Sequence, residues 1–278
     1  MFLISKVKRF LWFFFLCTPF TLVADFATEY KGSQTHWAFQ PVRNVPIPES
    51  RLHNPIDAFV EENLQAHSLD FANPANRQTI IRRLYHDLIG LKPSYEEIKK
   101  FVGETNPKAY ANLVDQLLAS PHFGERWGRH WLDVARYADT KGYLAGGESR
   151  AYPYAYTYRD WVIKAFNKDL PYDEFIRKQM AADFLTEQPN HPDLAALGFL
   201  TAGPVFLNRR QLIIDDQIDL VTRGLMGFTV ACARCHDHFH DPIPTSDYYS
   251  LYGIFDASNK PAKFPLIGKP DENSTSYT

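Results

Sequence analysis

Cysteine is scarce in this chain, which contains only three among its 278 residues. Cys17 lies close to the amino terminus, so Cys232 and Cys235 are the only cysteines in the rest of the chain. A single pair of cysteines three positions apart cannot build the multi-bridge framework that stabilises many small exported domains. The sequence therefore excludes a disulfide-stapled fold and concentrates its thiols in one short stretch.

The chain also lacks an excess of charge of either sign. It has 30 Lys and Arg residues against 32 Asp and Glu residues, for a formal net charge of −2. No basic tract stands out beyond the first ten residues, which argues against nucleic acid as a partner. A Gly-rich phosphate loop, a nucleophile elbow and an internal repeat are missing too, so these common signatures of function give no guidance.

Long apolar runs are absent except near the amino terminus, where residues 10–20 are apolar and follow three basic residues. This run is shorter than the roughly 20 residues that a membrane-spanning helix needs. With small or neutral residues up to Ala24, the pattern predicts a signal peptide over 1–24 and an exported, periplasmic or extracellular protein. Leu22 is a mediocre residue at its place before the cleavage point, so an uncleaved membrane anchor is the alternative.

The remaining pattern is helical. We predict an extended linker over 25–53, an all-α, irregular multi-helix domain over 54–256, and the start of a further linker over 257–278. Several helices begin at residues suited to capping, among them Asn54, Asn76 and Ser120, and Ser94 opens a capping box. The first helix is expected to bury a stripe of four apolar side chains, which are Ile56, Phe59, Val60 and Leu64.

One long helix is predicted from about Arg210 to Ala233, and it carries the motif Cys232-Ala233-Arg234-Cys235-His236 at its carboxyl end. The CxxCH spacing is typical of covalent c-type haem attachment. Each thiol forms a thioether with one haem vinyl group, and the adjacent imidazole binds the iron. We therefore predict Cys232 and Cys235 as haem anchors and His236 as the axial iron ligand.

Other interpretations of the same residues remain open. Cys232 and Cys235 with His238 and His240 have the residue types of a zinc site, and CxxC also occurs in exported disulfides or dithiols. A sixth iron ligand is not evident. Met180 is one candidate, although a methionine on an apolar helix face usually serves core packing.

A tyrosine-rich loop over 140–158 offers a different function. Tyrosines such as Tyr152 and Tyr154 can stack on sugar rings while their hydroxyl groups stay in water. Tyrosines of this kind more often cover the domain surface. The loop nevertheless makes a carbohydrate a candidate partner.

Five stretches resemble the planctomycete-type cytochrome family, in a domain of unknown function called the second planctomycete cytochrome c domain. They are RRLYHDLIGLKP at 82–93, SPHFGERW at 120–127, LDVARYAD at 132–139, YRDWVIKAFN at 158–167, and the segment that runs from IDDQID at 214–219 through CARCHDH to DYYSLYG at 247–253. The resemblance covers about residues 36–260.

The resemblance implies an exported domain, which in this family is usually followed by a second domain of unknown function. We therefore expect this chain to be an amino-terminal piece or a truncated member of the family. The family pattern typically has Lys and then an aromatic residue after Cys-His-Asp-His, whereas this chain has Phe239 and His240. A role that needs the lysine charge is therefore in doubt, while Cys232, Cys235, His236 and His238 are intact.

The sequence thus predicts an exported c-type haem protein that passes single electrons to a redox partner protein, a role favoured over that of a hydrolase. The alternative is an extracellular carbohydrate-associated protein in which the same Cys/His cluster binds zinc or another metal. A third interpretation is a non-catalytic sugar-binding or interaction module built on the tyrosine loop.

Overall fold

The structure is a computed structural model that describes residues 39–52, 54–142, 149–258 and 267. The predicted signal peptide with Cys17, much of the first linker, and all but three residues of the predicted tail lie outside the described residues. The chain divides into two compact units, of which one comprises residues 1–44 with 240–242 and the other comprises residues 45–239 with 243–278. The second unit holds all the helices considered below.

The fold class is all-α, as the sequence predicted. Within the described residues there is no β-strand, only an isolated antiparallel bridge between Thr140 and Ala151. The α-helices are α1 (Pro55–Ala66), α2 (Arg77–Ile89), α3 (Tyr95–Gly103), α4 (Ala109–Leu118), α5 (Pro121–Val134), α6 (Tyr156–Asn167), α7 (Tyr172–Leu185), α8 (Gly198–Thr201), α9 (Arg210–Met226) and α10 (Thr245–Ala257). Short 3-10 helices span Pro192–Leu197, Phe206–Asn208 and Val230–Arg234.

Helix starts follow the capping residues. The side chains of Asn54, Asn76 and Ser120 each accept a hydrogen bond from a backbone N–H in the first turn. Ser94 and Glu97 form the reciprocal capping box at α3, in which the side chain of each residue accepts from the backbone N–H of the other. These bonds satisfy N–H groups that have no partner within the helix.

Three apolar clusters hold the second unit together. The first lies among α2, α3 and α4 and includes Ile81, Phe101 and Leu117. The central cluster joins α5 to α9 around residues such as Trp161 and Phe199. The third cluster packs α9 and α10 around the segment that carries the CxxCH motif.

Helix α9 contributes to two of these clusters. Leu220 belongs to the central cluster, whereas Ile214 and Ile218 belong to the third, and all three side chains are buried. The third cluster is therefore anchored on a helix that the central cluster also fixes.

The predicted buried stripe of α1 is wrong for Ile56 and Val60, whereas Phe59 and Leu64 are half-buried. Ile56 is 71% exposed and Val60 is 41% exposed, whereas the buried residues of this helix are Ala58 and Glu61. Ser50 and Arg51 from the preceding chain bind the Glu61 carboxylate. Helix α1 therefore buries a small and an acidic side chain most deeply, and half of its apolar stripe is exposed in the described part of the chain.

The long helix ends earlier than predicted. Helix α9 stops at Met226 because Gly227 adopts a left-handed conformation (φ 76°), so the long helix does not extend to Ala233. A 3-10 helix follows after three residues. Helix α5 ends at Val134, and Arg136 is left-handed at φ 57°.

None of the helices in the described part of the chain is long and apolar enough to cross a membrane.

We predict that Gly124→Ala will destabilise the fold. A Cβ atom at this position in α5 would lie 2.4 Å from the backbone oxygen of Ile163 in α6, so the two helices would have to separate. Overpacking of this kind costs about 1–3 kcal/mol, which the midpoint of urea unfolding will show. Gly103→Ala is the matched control, since a Cβ there would meet nothing within 4 Å; equal effects of the two changes would contradict the prediction.

We also predict a pH-dependent loss of stability on Ser94→Ala. The hydrogen bonds from Ser94, followed by that from Tyr85, hold the pKa of the Glu97 carboxyl below its usual value. A lowered pKa in the folded state contributes stability above the unfolded-state pKa, near 4.3, and that stability is lost as the pH falls through the folded-state pKa. The variant should therefore lose more free energy of unfolding at pH 7 than at pH 3.

The matched control for this measurement is Ser120→Ala. Ser120 caps α5 by accepting from the backbone N–H of His122, without a carboxylate in the arrangement. Its replacement should cost about 1 kcal/mol with little change between the two pH values. Parallel pH profiles for the two variants would show that the Glu97 carboxyl has no part in the effect of Ser94.

The CxxCH turn as candidate functional site

The CxxCH motif lies in a turn between α9 and α10, which we define as residues 229–238 and call the CxxCH turn. Its first half is the 3-10 helix Val230–Arg234. Val230 and Ala233 are buried in the third cluster against Ile214 and Ile218 of α9. The apolar residues of the turn therefore face the protein and fix the direction of the others.

Asp215 of α9 fastens the turn to both helices. One of its carboxylate oxygens accepts a hydrogen bond from the hydroxyl of Tyr248 in α10, at 2.8 Å. The other lies 3.3 Å from Nη1 of Arg234, one of the two residues between the cysteines. The backbone carbonyl of Arg234 also accepts a hydrogen bond from the hydroxyl of Tyr249, at 3.2 Å.

Tyr248 is 1% exposed, and it is the most deeply buried polar group at the site. Its burial, and after that its hydrogen bond to the Asp215 carboxylate, raise the pKa of the phenol. The phenol therefore stays protonated at neutral pH and acts as a donor. This makes the contact a stable structural link.

The second half of the turn is fastened by Asp237 and His238. The Asp237 carboxylate accepts a hydrogen bond from the backbone N–H of Thr245 at the first turn of α10, at 2.8 Å. Nε2 of His238 lies 2.8 Å from the Thr229 hydroxyl. The backbone N–H of His238 donates to the carbonyl of Ile243 at 2.8 Å. Both residues hold the turn in place.

The three residues predicted to bind haem face outward. Cys232 and Cys235 are free thiols and are exposed. His236 is exposed as well, and its Nδ1 lies 2.7 Å from the backbone carbonyl of Asp237. A histidine whose Nδ1–H is held by a carbonyl presents its Nε2 as the metal-binding nitrogen.

This donor set fits covalent haem. Thioether formation requires two reduced and accessible thiols, which Cys232 and Cys235 supply. Axial ligation requires an imidazole nitrogen that makes no internal contact, and Nε2 of His236 has no partner within the described residues. All three residues of the sequence prediction are exposed in the one turn.

The described residues contain no ready-made metal site, either for the zinc alternative or for the CxxCH donors themselves. Among the residues that the structure describes, no three Cys, His, Asp or Glu side chains form a group able to hold a metal ion. His238 directs its Nε2 to Thr229. His240 is exposed and belongs to the other compact unit, so its relation to the cysteines is not defined.

Met180, the predicted candidate for a sixth ligand, packs on the central cluster, whereas the CxxCH turn packs on the third. This is the core role that methionine on an apolar helix face usually has. The structure thus groups Met180 with α7 and its neighbours and does not group it with His236.

The tyrosine loop is only partly available for stacking. Tyr158 is 2% exposed and belongs to the central cluster, and the Tyr152 hydroxyl donates to the carbonyl of Gly203 at 3.0 Å. Tyr154 and Tyr156 are exposed. Tyr143 lies outside the described residues. Two tyrosines therefore remain on the surface of the described part of this loop.

Sequence reasoning missed the roles of Asp215, Tyr248 and Tyr249. A signal was present, because Asp215 lies next to Ile214 on the buried side of α9, where an acidic residue needs a partner. The partner lies 33 positions away along the chain. Periodicity indicates that such a residue needs a donor, but it does not identify a donor so distant.

Comparison with protein families matches residues 55–260 to the family described as PSCyt2, a protein of unknown function (DUF1549). This match covers about three quarters of the chain. The chain belongs to this family. The comparison with curated proteins gives no match, and neither does the comparison with solved structures. The PSCyt2 match includes the entire CxxCH turn and the two helices that hold it.

We predict that Tyr248→Phe will destabilise the protein by about 1–3 kcal/mol, because it leaves one oxygen of the partly buried Asp215 carboxylate without its donor. Urea unfolding followed by circular dichroism measures the loss. Tyr252→Phe is the matched control on the same helix, since no hydrogen bond of the Tyr252 hydroxyl is found in the described part of the chain. An unchanged stability of Tyr248→Phe would mean that Asp215 does not fasten the turn.

Proposed function

We propose that this PSCyt2 family member is an exported c-type haem protein whose role is single-electron transfer. Cys232 and Cys235 would be the thioether anchors, and His236 would be the axial iron ligand. The observation that carries the proposal is the division of the CxxCH turn. The two thiols and the imidazole are exposed. Ala233, Arg234 and Asp237, which lie between and after them, contact the helices on either side of the turn.

This difference between the exposed side chains and their neighbours matters because thioether formation uses both thiol groups. Thiols that packed in the core or paired with each other would have to be released before they could react. Cys232 and Cys235 are exposed and unpaired, and Ala233 and Arg234 between them hold the backbone. The spacing of the two thiols is thus set by contacts that attachment leaves unchanged.

His236 is prepared for one orientation. Its contact with the Asp237 carbonyl at 2.7 Å fixes Nδ1 as the protonated nitrogen and leaves Nε2 for the metal. Asp237 is itself fixed, because its carboxylate binds the backbone N–H of Thr245. The start of α10 therefore supports the imidazole through a single intervening residue.

Covalent haem, when bound, supplies a one-electron iron couple. The chain's own residues contribute the attachment, the axial nitrogen and part of the surroundings. Tyr249 donates to the Arg234 carbonyl while 54% of its surface stays exposed. Phe239 is 66% exposed just after the turn. Tyr249 therefore offers apolar surface at the turn, and Phe239 follows the turn directly in sequence.

Export is part of the proposal, since thioether formation takes place outside the cytoplasm. The leader over 1–24 and the family membership support it. The redox partner is a second protein whose identity the sequence does not indicate. A role as an enzyme is not required by any of the residues considered.

We predict that the full chain, expressed with a c-type maturation system, will carry one covalent haem. Intact mass spectrometry should give an increase of about 616 Da over the mature polypeptide, and the pyridine haemochrome should show c-type bands. Cys232→Ser with Cys235→Ser should abolish the mass increase. His236→Ala should retain it and change the absorption spectrum, because only the axial ligand is lost.

The matched control is Tyr252→Phe, a change outside the motif that should leave the haem mass increase and the spectrum unchanged. A correctly folded, colourless protein from the same host, without the added mass, would overturn the proposal. One equivalent of zinc in that colourless protein, lost in Cys232→Ser, would favour the metal-site alternative that the sequence left open.

A further inference from the structure

The peptide between Asp237 and His238 links the imidazole of His236 to the body of the protein. Its carbonyl, which belongs to Asp237, lies 2.7 Å from Nδ1 of His236. Its N–H, which belongs to His238, donates to the backbone carbonyl of Ile243 at 2.8 Å. The C=O and N–H groups of a trans peptide point in opposite directions. One rigid unit therefore binds the imidazole on one side and Ile243 on the other.

These two hydrogen bonds form a chain with one polarity. The Asp237 carbonyl can only accept, so Nδ1 of His236 carries the proton, and the same peptide donates its own N–H to the Ile243 carbonyl. Hydrogen bonds arranged head to tail polarise one another. A stronger hydrogen bond at Nδ1 makes the opposite ring nitrogen, Nε2, a better electron donor to a metal. The orientation of this peptide therefore bears on how His236 binds iron.

This peptide needs support because the residues before it lie in the open. His236 and Asp237 are both exposed. The Asp237 carboxylate binds the backbone N–H of Thr245, which fixes the Asp237 side chain but not the rotation of the peptide that follows. Ile243 packs on the third cluster, so its carbonyl has a defined place. The peptide keeps its orientation only if His238 stays opposite that carbonyl.

Thr229 contacts His238 from the opposite end of the CxxCH turn. Its hydroxyl lies 2.8 Å from Nε2 of His238, and both residues are half-buried. Its backbone carbonyl accepts a hydrogen bond from the N–H of Cys232 at 2.9 Å. Val230, the next residue, is buried in the third cluster. Thr229 therefore joins the half of the turn with the first thiol to the half with the imidazole.

We propose that Thr229 and His238 are positioning residues for His236. Their contact closes the CxxCH turn and holds the 237–238 peptide so that its carbonyl keeps the Nδ1–H of His236 and leaves Nε2 for iron. This inference rests on the proposed function, since it concerns the imidazole proposed as the axial ligand. It adds a role for His238 other than metal binding, and a role for Thr229, for which the sequence analysis made no prediction.

The first test needs no haem. The full chain is labelled with ¹⁵N-histidine, made without a maturation system, and its imidazole nitrogen signals are recorded where their shifts show neutral rings. The signals missing from His236→Ala identify His236. We expect the Nδ1–H form of His236 in the unchanged chain and in Thr229→Ser, which keeps the hydroxyl. Thr229→Val should raise the share of the Nε2–H form about fivefold, the change that losing one hydrogen bond of typical net strength produces.

Thr201→Val is the matched control. It also removes a threonine hydroxyl that makes a hydrogen bond, to the Leu197 carbonyl at 3.1 Å, but it leaves the CxxCH turn untouched. The tautomer of His236 should not change in it. If Thr229→Val fails to fold, His238→Leu removes the same contact from the other side and should give the same increase. An unchanged tautomer in the folded variant would overturn the inference.

The second test uses the haem-loaded chain. Thr229→Val should shift the midpoint potential of the iron upward, because an imidazole that donates less electron density stabilises the oxidised iron less. Thr229→Ser and Thr201→Val should keep the original potential. A chain that never takes up haem would overturn the proposed function, while the tautomer measurement would still decide this inference. If the unchanged chain carries haem and Thr229→Val alters neither tautomer nor potential, only the inference fails.

Discussion

The carboxylate of Asp215 is the interaction on which the candidate site depends. It joins a long helix, the turn with the two thiols and the final helix, because it meets Tyr248 and Arg234 with different oxygens. A carboxylate in a partly buried place is costly unless donors surround it. Here the donors come from α10 and from the CxxCH turn. The hydrogen bonds that satisfy the carboxylate therefore also attach these two segments to α9.

The architecture around this carboxylate explains how exposed reactive groups can be well positioned. Exposed side chains ordinarily gain little order from their surroundings. In the CxxCH turn, the order comes from their neighbours in sequence, since Ala233 is buried and Asp237 binds the start of α10. The backbone of the CxxCH turn is therefore already ordered before the exposed residues bind a ligand. This limits the conformational entropy that the turn loses when a ligand binds.

Much of the fold could be predicted from sequence because it follows local rules. Asn54, Asn76 and the Ser94 capping box marked helix starts, since a cap is a contact between residues only two or three positions apart. Helix ends were harder. Gly227 carried the usual signal for a stop, but the apolar residues on both sides of it favoured a continuous helix, and the left-handed conformation ends α9 there.

The errors that remain concern contacts distant in sequence. The apolar stripe of α1 was present in the sequence, but periodicity identifies an apolar face without showing that anything covers it. Glu61 became the buried residue because Ser50 and Arg51 supply its partners. Likewise, the three outward residues of the site followed from a five-residue motif, whereas their support came from Asp215 and Tyr248, which only the folded chain brings together.

Gly227 has a consequence for how the molecule opens. The left-handed residue separates α9 from the 3-10 helix, so the cysteines do not share the hydrogen-bond ladder of the longer helix. Detachment of the turn would break the buried contacts of Val230 and Ala233, but it would break no hydrogen bond of the α9 ladder. Sub-global unfolding of this size is less costly than melting a helix, and amide protons of residues 230–238 should thus exchange with solvent sooner than those of α9.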